Sequence, residues 1–474
     1  MAIARNHLIG AASILALTSS VPLFAQANSS TATQSGEDGE ISVVQTEGGN
    51  VSDVNQSGDR SDVTVDQVGP TGFNASTIVQ SADDGTIDVD QQGFDLLSPD
   101  LATNVSDINQ AGADQSISSL QVGDANGSTV TQSGVEQELL LVQGGFGNIS
   151  TVSQSNTDNF ADVLQDGDDN TSNITQTDED GIAAVNQLAE RNSSTITQLD
   201  NDNEATVTQT GDDNNSTITQ DSTFSDATVT QSGNGNTAIT LQGDVSVDQE
   251  SLIIQSGNTN TADVQQGTNG TGPLDNDNIS RVEQQGDNNT AVVRQFSELN
   301  NANILQTGNG NEARLENQGD GLSSTSNQEN AATITQGGNN NFVSGNQPGE
   351  NSVYTVNQSG NDNSSTVDQD GAFGSAFITQ IGDENMSDVV QVGGTTNLAT
   401  VTQSGSLGES EISQTGSDNT ATLTQLASSS NSDSFITQDG SLNVATVMQG
   451  GAGDVSTITQ TGASNNSTVN QNVP

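Results

Sequence analysis

Aliphatic residues recur along the chain at an interval of eleven residues, each two positions before a glutamine. Thirty-eight glutamines from Gln34 to Gln471 follow this spacing, and 33 of them have Val, Ile or Leu two residues earlier. A small residue, usually Ala or Ser, stands four residues before the glutamine, as Ala205 and Val207 stand before Gln209. A spacing of two is the period of a β-strand, so these side chains share one face. The pattern therefore predicts one short strand in every eleven residues.

Each predicted strand ends in a turn. Gly stands two residues after the glutamine in 25 of the 38 units, and residues rich in Asp and Asn follow it, as in 211–214. Gly and Asn readily adopt the left-handed conformations that tight turns require. The unit is thus predicted to be a strand of about seven residues and a turn of about four.

The inner face of such a strand has one aliphatic and one small residue, so the strand needs equivalent strands above and below it to be stable. In an antiparallel meander the recurring side chains of neighbouring strands would not meet. In a solenoid with two strands per rung, residue i lies over residue i+22, so Gln132 stacks on Gln154 and Val130 on Val152. We therefore predict an all-β fold, a two-strand-per-rung β-solenoid with 22-residue repeats. The 38 strands would make about 19 rungs.

Stacking also accounts for the glutamine, the most regular residue of the unit. A buried amide without a partner costs on the order of 1–3 kcal/mol. In a stack, each amide N–H can meet the carbonyl oxygen of the neighbouring rung. An asparagine five residues after the glutamine recurs as well. The predicted inward ladder consists of Gln110, Gln121, Gln132, Gln143, Gln154, Gln165, Gln176, Gln187, Gln198, Gln209, Gln220 and Gln231.

The interval of eleven residues is broken at a few places, which we interpret as loops because Pro, which cannot donate to a sheet hydrogen bond, lies near several of them. Two extra residues follow Gln67, Gln242 and Gln425, and longer breaks follow Gln91, Gln266 and Gln318. The prediction is a single repeat domain over 28–474.

Composition changes this picture in one respect. The chain has 6 Lys and Arg against 61 Asp and Glu, a formal net charge of −55, and 29% hydrophobic residues. Such numbers are typical of a disordered polyanion, but a periodicity kept over hundreds of residues favours a folded repeat. The charge disfavours nucleic acid and anionic membranes as partners because they would be repelled. With no Cys and a single His, His7, the sequence predicts no disulfide, no cofactor and no thiolate or imidazole metal site.

The N-terminal segment 1–27 is of another kind. Arg5 and His7 precede a mostly apolar run over 8–17, and Ala27 ends a group of small residues suited to a signal peptidase. We predict a secretory signal peptide over 1–27. A transmembrane anchor is disfavoured because the apolar run is too short. No later segment is apolar enough to span a bilayer, so we predict no integral membrane segment in the mature chain.

The spacing Gln-x4-Asn-x5-Gln is formed by Gln198, Asn203 and Gln209, and again by Gln209, Asn214 and Gln220. In phase, spacing and residue type it resembles the curlin associated repeat of curli subunits, exported proteins that assemble into functional amyloid fibres on bacterial surfaces. The resemblance covers nearly all of the mature chain. It implies that the structural ladder also includes the matching asparagines Asn170, Asn192, Asn203, Asn214 and Asn236. The chain departs from curli subunits in its acidity and in having about 19 repeats instead of a handful.

The resemblance implies a secreted, extracellular protein of the bacterial cell surface that self-associates into fibres for cell adhesion and biofilm matrix. It implies a curli-type nucleator and an outer-membrane secretion pore as partners, and a structural role rather than an enzymatic one. The ends of a solenoid would expose strand edges that template the addition of another copy. Major subunit, nucleator and monomeric surface rod all stay open.

Three further functions are compatible with parts of the sequence. The Asp-rich turns could bind Ca²⁺, although neither the nonapeptide repeat nor the EF-hand loop of calcium proteins is present. Thr-x-Thr pairs such as Thr206 and Thr208 resemble the faces of ice-binding proteins, but Thr also simply suits strands. Carboxylate pairs such as Asp212 and Asp213 could serve a glycosidase, yet no inserted loop would build a pocket. We predict no catalytic, cofactor-binding or metal site.

Overall fold

The computed structural model describes residues 27–69, 73–93, 104–243, 247–267, 277–319 and 329–473. All the regular secondary structure within these ranges is β-strand, which confirms the all-β prediction. Residues 1–26 of the predicted signal peptide lie outside the described part. The strands fall into two compact units, the first ending at Asn214 and the second beginning at Asn215.

The described residues of the first unit form sixteen strands: β1 (Ser29–Gln34), β2 (Glu40–Glu47), β3 (Val51–Gln56), β4 (Asp62–Gly69), β5 (Ala75–Gln80), β6 (Thr86–Gln92), β7 (Val105–Ala113), β8 (Ser116–Asp124), β9 (Gly127–Val135), β10 (Glu138–Phe146), β11 (Ile149–Thr157), β12 (Phe160–Asp166), β13 (Thr171–Gln176), β14 (Ile182–Gln187), β15 (Ser193–Gln198) and β16 (Glu204–Gln209).

Those of the second unit form twenty-two: β17 (Asn215–Gln220), β18 (Asp226–Gln231), β19 (Thr237–Gly243), β20 (Glu250–Ser256), β21 (Thr261–Gly267), β22 (Ile279–Gln285), β23 (Thr290–Gln295), β24 (Asn301–Thr307), β25 (Glu312–Gln318), β26 (Ala331–Gly337), β27 (Phe342–Gln347), β28 (Val353–Ser359), β29 (Ser364–Ala372), β30 (Ser375–Ile381), β31 (Met386–Thr395), β32 (Leu398–Gln403), β33 (Glu409–Ser417), β34 (Thr420–Gln425), β35 (Asp433–Ser441), β36 (Val444–Gln449), β37 (Val455–Ala463) and β38 (Asn466–Gln471).

Within each unit, odd-numbered and even-numbered strands form separate parallel sheets, and one strand of each makes a rung. In the first unit, β11 pairs with β13 so that Gln154 lies beside Gln176 of the next rung. In the second, β32 pairs with β34 so that Gln403 lies beside Gln425. The described strands make eight rungs in the first unit and eleven in the second. The predicted β-solenoid, with two strands per rung, a 22-residue repeat and about 19 rungs, is confirmed.

Three inward positions of each strand form the core. Ala205, Val207 and Gln209 of β16 are buried, whereas Thr206 and Thr208 between them are only partly covered. Burying one aliphatic side chain contributes roughly 1.5–3 kcal/mol, which is too little to order a strand of six residues by itself. Each rung therefore depends on the rungs that stack on it.

The register survives the breaks in the eleven-residue interval. Gln80 lies beside Gln110 although one of the longer breaks separates them along the chain. In β25, Leu315 pairs with Val293 and one extra residue forms a bulge, so Gln318 returns to the ladder position. The bulge explains why Gln318 lacks an aliphatic residue two positions earlier. The predicted loops after Gln91, Gln266 and Gln318 lie largely outside the described residues.

The turns bring successive rungs very close together. Gly134, two residues after its glutamine, has φ of 143°, and a Cβ atom there would lie 1.8 Å from the carbonyl oxygen of Asn156 in the next rung. No side chain fits in that space, which accounts for the recurring glycine.

Later in most turns, a second residue has a left-handed backbone conformation, with φ of 56° at Asp158 and 59° at Asp213. We call this residue, which immediately precedes the inward residue at the end of the turn, the tip. Turns after odd-numbered strands stack along the first edge of a unit, and turns after even-numbered strands stack along its second edge. The backbone N–H of the Asp158 tip donates to the carbonyl of Val135 in the preceding turn at 3.0 Å. The tips of one edge therefore form a row.

Candidate functional site

The most regular feature of the interior is a column of glutamine amides. In the first unit, Nε2 of Gln110 donates to Oε1 of Gln132 (3.1 Å), Nε2 of Gln132 to Gln154 (2.7 Å) and Nε2 of Gln154 to Gln176 (2.9 Å). A second column, with bonds of 2.8–2.9 Å, joins Gln121, Gln143, Gln165, Gln187 and Gln209. Each of these bonds runs from the lower to the higher residue number, so the columns have a direction.

Each amide also donates across the core. Nε2 of Gln154 lies 3.2 Å from the carbonyl oxygens of Glu138 and Asn159, and Nε2 of Gln176 lies 3.1 Å from that of Phe160. One side chain thus links two successive rungs and the two sheets of a rung. Because these glutamines are buried, the full set of hydrogen bonds offsets the cost of removing the amides from water.

Asparagines in the turns form a second kind of column. The backbone N–H of Asn192 donates to Oδ1 of Asn170 (2.9 Å), and that of Asn214 donates to Oδ1 of Asn192 (3.0 Å). In the second unit, Oδ1 of Asn236 accepts from the backbone of Asn260 at 2.9 Å. Each side chain therefore satisfies a backbone donor of the neighbouring turn, which fixes the register where no strand pairing exists.

The structure places every predicted ladder residue at an inward position with at most 1% of its surface exposed. In the second unit, Gln220 donates to Gln242 (3.1 Å) and Gln231 to Gln255 (2.8 Å). The residues of the first unit are Gln110, Gln121, Gln132, Gln143, Gln154, Gln165, Gln176, Gln187, Gln198, Gln209, Asn170, Asn192, Asn203 and Asn214. Those of the second unit are Gln220, Gln231 and Asn236.

In the first unit, two glutamines of the asparagine column were missed from sequence. Gln115 and Gln137 take the place of the turn asparagine, and Nε2 of Gln115 donates to the carbonyls of Ala111 and Gly134 at 3.0 Å each. Their position five residues after a ladder glutamine was the available signal, because an amide of either length can reach these carbonyls.

At the start of the first unit, β1 and β2 are each paired along one edge in the described structure, β1 with β3 and β2 with β4. Nε2 of Gln34 donates to Gln56 and Nε2 of Gln45 to Gln67, both at 2.8 Å. Among the described residues, no group donates to Oε1 of Gln34 or Gln45. This end of the unit therefore presents amide acceptors beside unpaired backbone.

At the end of the second unit, β37 and β38 pair on one side, with β35 and β36. Gln460 and Gln471 accept from the preceding rung at 2.8 and 3.0 Å, and each donates one N–H to a backbone carbonyl. An amide nitrogen carries two N–H groups, so one donor of each side chain is left in the described structure. This end presents amide donors.

The first edge of the first unit is a row of mostly acidic tips. Glu136 and Asp158 lie in successive rungs, about 4.8 Å apart, and a hydrogen bond to Asp158 together with its charge raises the pKa of Glu136. Arg60 is the one basic tip described here, and its Nε donates to Asp84 at 2.6 Å. The acidic tips of this edge are Asp38, Asp84, Asp114, Glu136, Asp158, Asp180 and Asp202.

One carboxyl group lies inside the first unit. Asp178 is 1% exposed, and no other described residue donates a hydrogen bond to its carboxylate. It fills the space of a turn side chain, since a Cβ on Gly181 would lie 2.3 Å from Oδ2 of Asp178. Burial raises the pKa of Asp178 to about 7, and Asp180, Asp200 and Asp202 add to the effect. The sequence shows this only as Gly181 in place of the usual asparagine.

Comparison with known families gives a match to the family described as the curlin associated repeat, over residues 189–221, 360–393 and 394–426. No curated protein matches the chain. In the described part of the chain, no helix has the length and apolar character that a membrane crossing requires. Within the same ranges, no three Asp, Glu, His or Cys side chains come together as a metal site would need.

The matched segments include ladder glutamines of both units, such as Gln198 and Gln403. Curlin repeat proteins are structural proteins found outside the cell, at its surface. The chain thus contains three segments that match the curlin associated repeat, within a fold of stacked parallel strands and directional amide columns.

Proposed function

We propose that this chain is a secreted structural protein that assembles end to end into curli-like amyloid fibres for cell adhesion and biofilm matrix. The observation that carries the proposal is the pair of incomplete ends. β1 and β2 at one end, and β37 and β38 at the other, each have one unpaired edge in the described structure. Unpaired edges template the addition of strands from another chain.

The amides give this assembly a direction. Gln460 and Gln471 of one copy offer donors, and Gln34 and Gln45 of the next copy offer acceptors. With β37 on β1 and β38 on β2, the column of amide bonds would continue without a reversal. Two like ends would instead bring donor to donor or acceptor to acceptor. Head-to-tail addition is therefore favoured.

The sequences of the joining strands suit the same register. Val455–Gln460 reads V-S-T-I-T-Q and Ser29–Gln34 reads S-S-T-A-T-Q. Stacking them would place Gln460 beside Gln34, Ile458 beside Ala32 and Ser456 beside Ser30. Like side chains in register are the arrangement of amyloid stacks.

Export belongs to the same proposal. The chain would enter the secretory pathway through residues 1–27, lose them after Ala27, and leave the cell through an outer-membrane secretion pore, with a curli-type nucleator to start growth. The mass of the mature protein tests the cleavage. The net charge of −55 would keep unassembled copies apart during transit.

Electron microscopy, fibre diffraction and thioflavin kinetics of the mature protein test assembly. An axial spacing of about 4.7–4.8 Å and an equatorial spacing of about 10 Å are expected. Val469→Lys places a charge on the inward side of β38, where stacking would bury it, and should stop elongation. Thr468→Lys, on the outward side of the same strand, is the matched control. A protein that stays monomeric under all conditions, or V469K fibres that grow as fast as those of the parent, would refute end-to-end stacking.

A further inference from the structure

Four tips on the first edge of the second unit carry large apolar side chains. Phe224, Leu299, Phe373 and Leu442 have φ of 55–56°, in the left-handed region. Phe224, Phe373 and Leu442 are 52%, 54% and 57% exposed, and Leu299 is half-buried. A left-handed backbone and an exposed apolar side chain are unusual in one residue. Bulky residues rarely adopt this backbone conformation, and exposure of apolar surface to water is unfavourable.

The four residues are evenly spaced. They follow β17, β23, β29 and β35, so each lies three rungs from the next, a separation of about 14 Å along the row. The backbone N–H of Phe373 donates to the backbone carbonyl of Glu350 (2.8 Å) and that of Leu442 to the backbone carbonyl of Ser417 (3.0 Å), which holds these tips in the stack. A rigid row of apolar side chains at one interval results.

Local stability does not account for these residues. Asp, Asn and Gly occupy most other tips and adopt the same conformation at lower cost. The apolar tips are also poorly buried, since at least half of the surface of three of them faces solvent. Backbone outliers kept under such conditions point to a contact made by the surface.

We propose that this apolar tip row is a lateral docking surface for the same row of a second copy of the chain. A second copy carries the same side chains at the same three-rung interval, so the two rows can meet in register. The charge distribution agrees. The described tips of this row include two carboxylates, Asp248 and Asp418, whereas the first edge of the first unit has seven acidic tips. Two acidic chains would therefore repel each other less along the apolar row than along the first edge of the first unit.

The size of the surface indicates how it would act. A buried aromatic side chain contributes about 150–250 Å², so four half-exposed tips offer about 400 Å² per copy. A stable interface buries about 800 Å² per partner. A single pair of copies would thus associate weakly, whereas copies joined in a fibre would present many rows at once and bind strongly. Bundling of fibres through the apolar tip row rests on the proposed end-to-end assembly, whereas the weak pairing of two single copies through this row does not.

The test replaces all four residues by Asn, which suits the left-handed conformation and leaves the charge unchanged: Phe224→Asn, Leu299→Asn, Phe373→Asn and Leu442→Asn. Leu407→Asn is the matched control. Leu407 is also a tip, with φ of 58° and 50% exposure, but it lies on the second edge. Far-UV circular dichroism checks that both variants fold.

Electron microscopy of fibres should show bundles for the parent and the control, and single filaments for the fourfold variant with unchanged elongation rates. Should no fibres form, sedimentation equilibrium of the soluble protein decides. The fourfold variant should then dimerise at least about tenfold more weakly than the parent, a loss of about 1.4 kcal/mol, and the control should not. Equal bundle widths, or equal dimer constants, would overturn the proposal. So would loss of binding to phosphatidylcholine vesicles without any change in self-association, because the row would then contact lipid.

Discussion

Replacing one ladder glutamine by leucine tests whether the amide column stabilises the fold. Gln154→Leu keeps a similar volume in β11 but removes the acceptor 2.7 Å from Nε2 of Gln132 and the donor 2.9 Å from Oε1 of Gln176. Two buried groups left without partners cost about 2–6 kcal/mol. The apolar burial of Leu offsets part of this. We expect a net local destabilisation of roughly 1–4 kcal/mol.

Hydrogen exchange is the suitable assay, because stacked repeats open locally and a single unfolding free energy is poorly defined for them. Amides of β9, β11 and β13 should exchange faster in Gln154→Leu, with distant rungs unchanged. Thr151→Leu, on the outward face of β11, is the control and should leave exchange unaltered. Exchange in Gln154→Leu as slow as in the parent would show that the column contributes no stability and that glutamine recurs for another reason.

Three other predictions follow from particular side chains. The pKa of Asp178 in the fold, about 7, lies above its ordinary 3.8. The contribution of this carboxyl group to stability is therefore fully present below pH 4 and is lost as the pH rises through 7. Asp178→Asn should remove this part of the pH dependence of stability in denaturation measured from pH 4 to 8, and the same pH dependence in both proteins would contradict it. Gly345→Val should destabilise the second unit by about 1–3 kcal/mol, because a Cβ there would lie 2.0 Å from the hydroxyl oxygen of buried Tyr354; adding Tyr354→Ala should restore hydrogen-exchange protection, and a double variant no better than the single one would refute this fit. Thioflavin lag times should shorten as the pH falls toward 4 or as the salt concentration rises, since both weaken the repulsion between copies of a chain with a net charge of −55. Lag times that respond to neither would show that charge repulsion does not limit assembly.

Much of the fold follows from local pattern. Ala205, Val207 and Gln209 repeat in kind every eleven residues, and only the stacking of every second unit brings like side chains together in both sheets. The inward place of each ladder glutamine could be predicted for the same reason, since a buried amide needs an amide partner. Such inferences need only the periods of strands and the cost of an unpaired polar group.

Departures from the pattern were harder to interpret. Gln318 has Glu316 where an aliphatic residue is usual, and only the bulge in β25 shows that Leu315 takes the core position. Gly345 and Tyr354 look like two separate exceptions in sequence. In the structure they belong to one rung, where the Tyr ring fills the space that Gly leaves.

The sequence by itself determined the strand period, the two-sheet rung and the identity of the buried columns, because these depend on spacing between neighbours along the chain. Tertiary structure alone decided the direction of the amide bonds, the burial of Asp178 and the even row of apolar tips. Each of those properties depends on which residues of different rungs come to lie side by side. Because insertions of varying length separate the rungs along the chain, no fixed sequence interval identifies the residues that become neighbours in the fold.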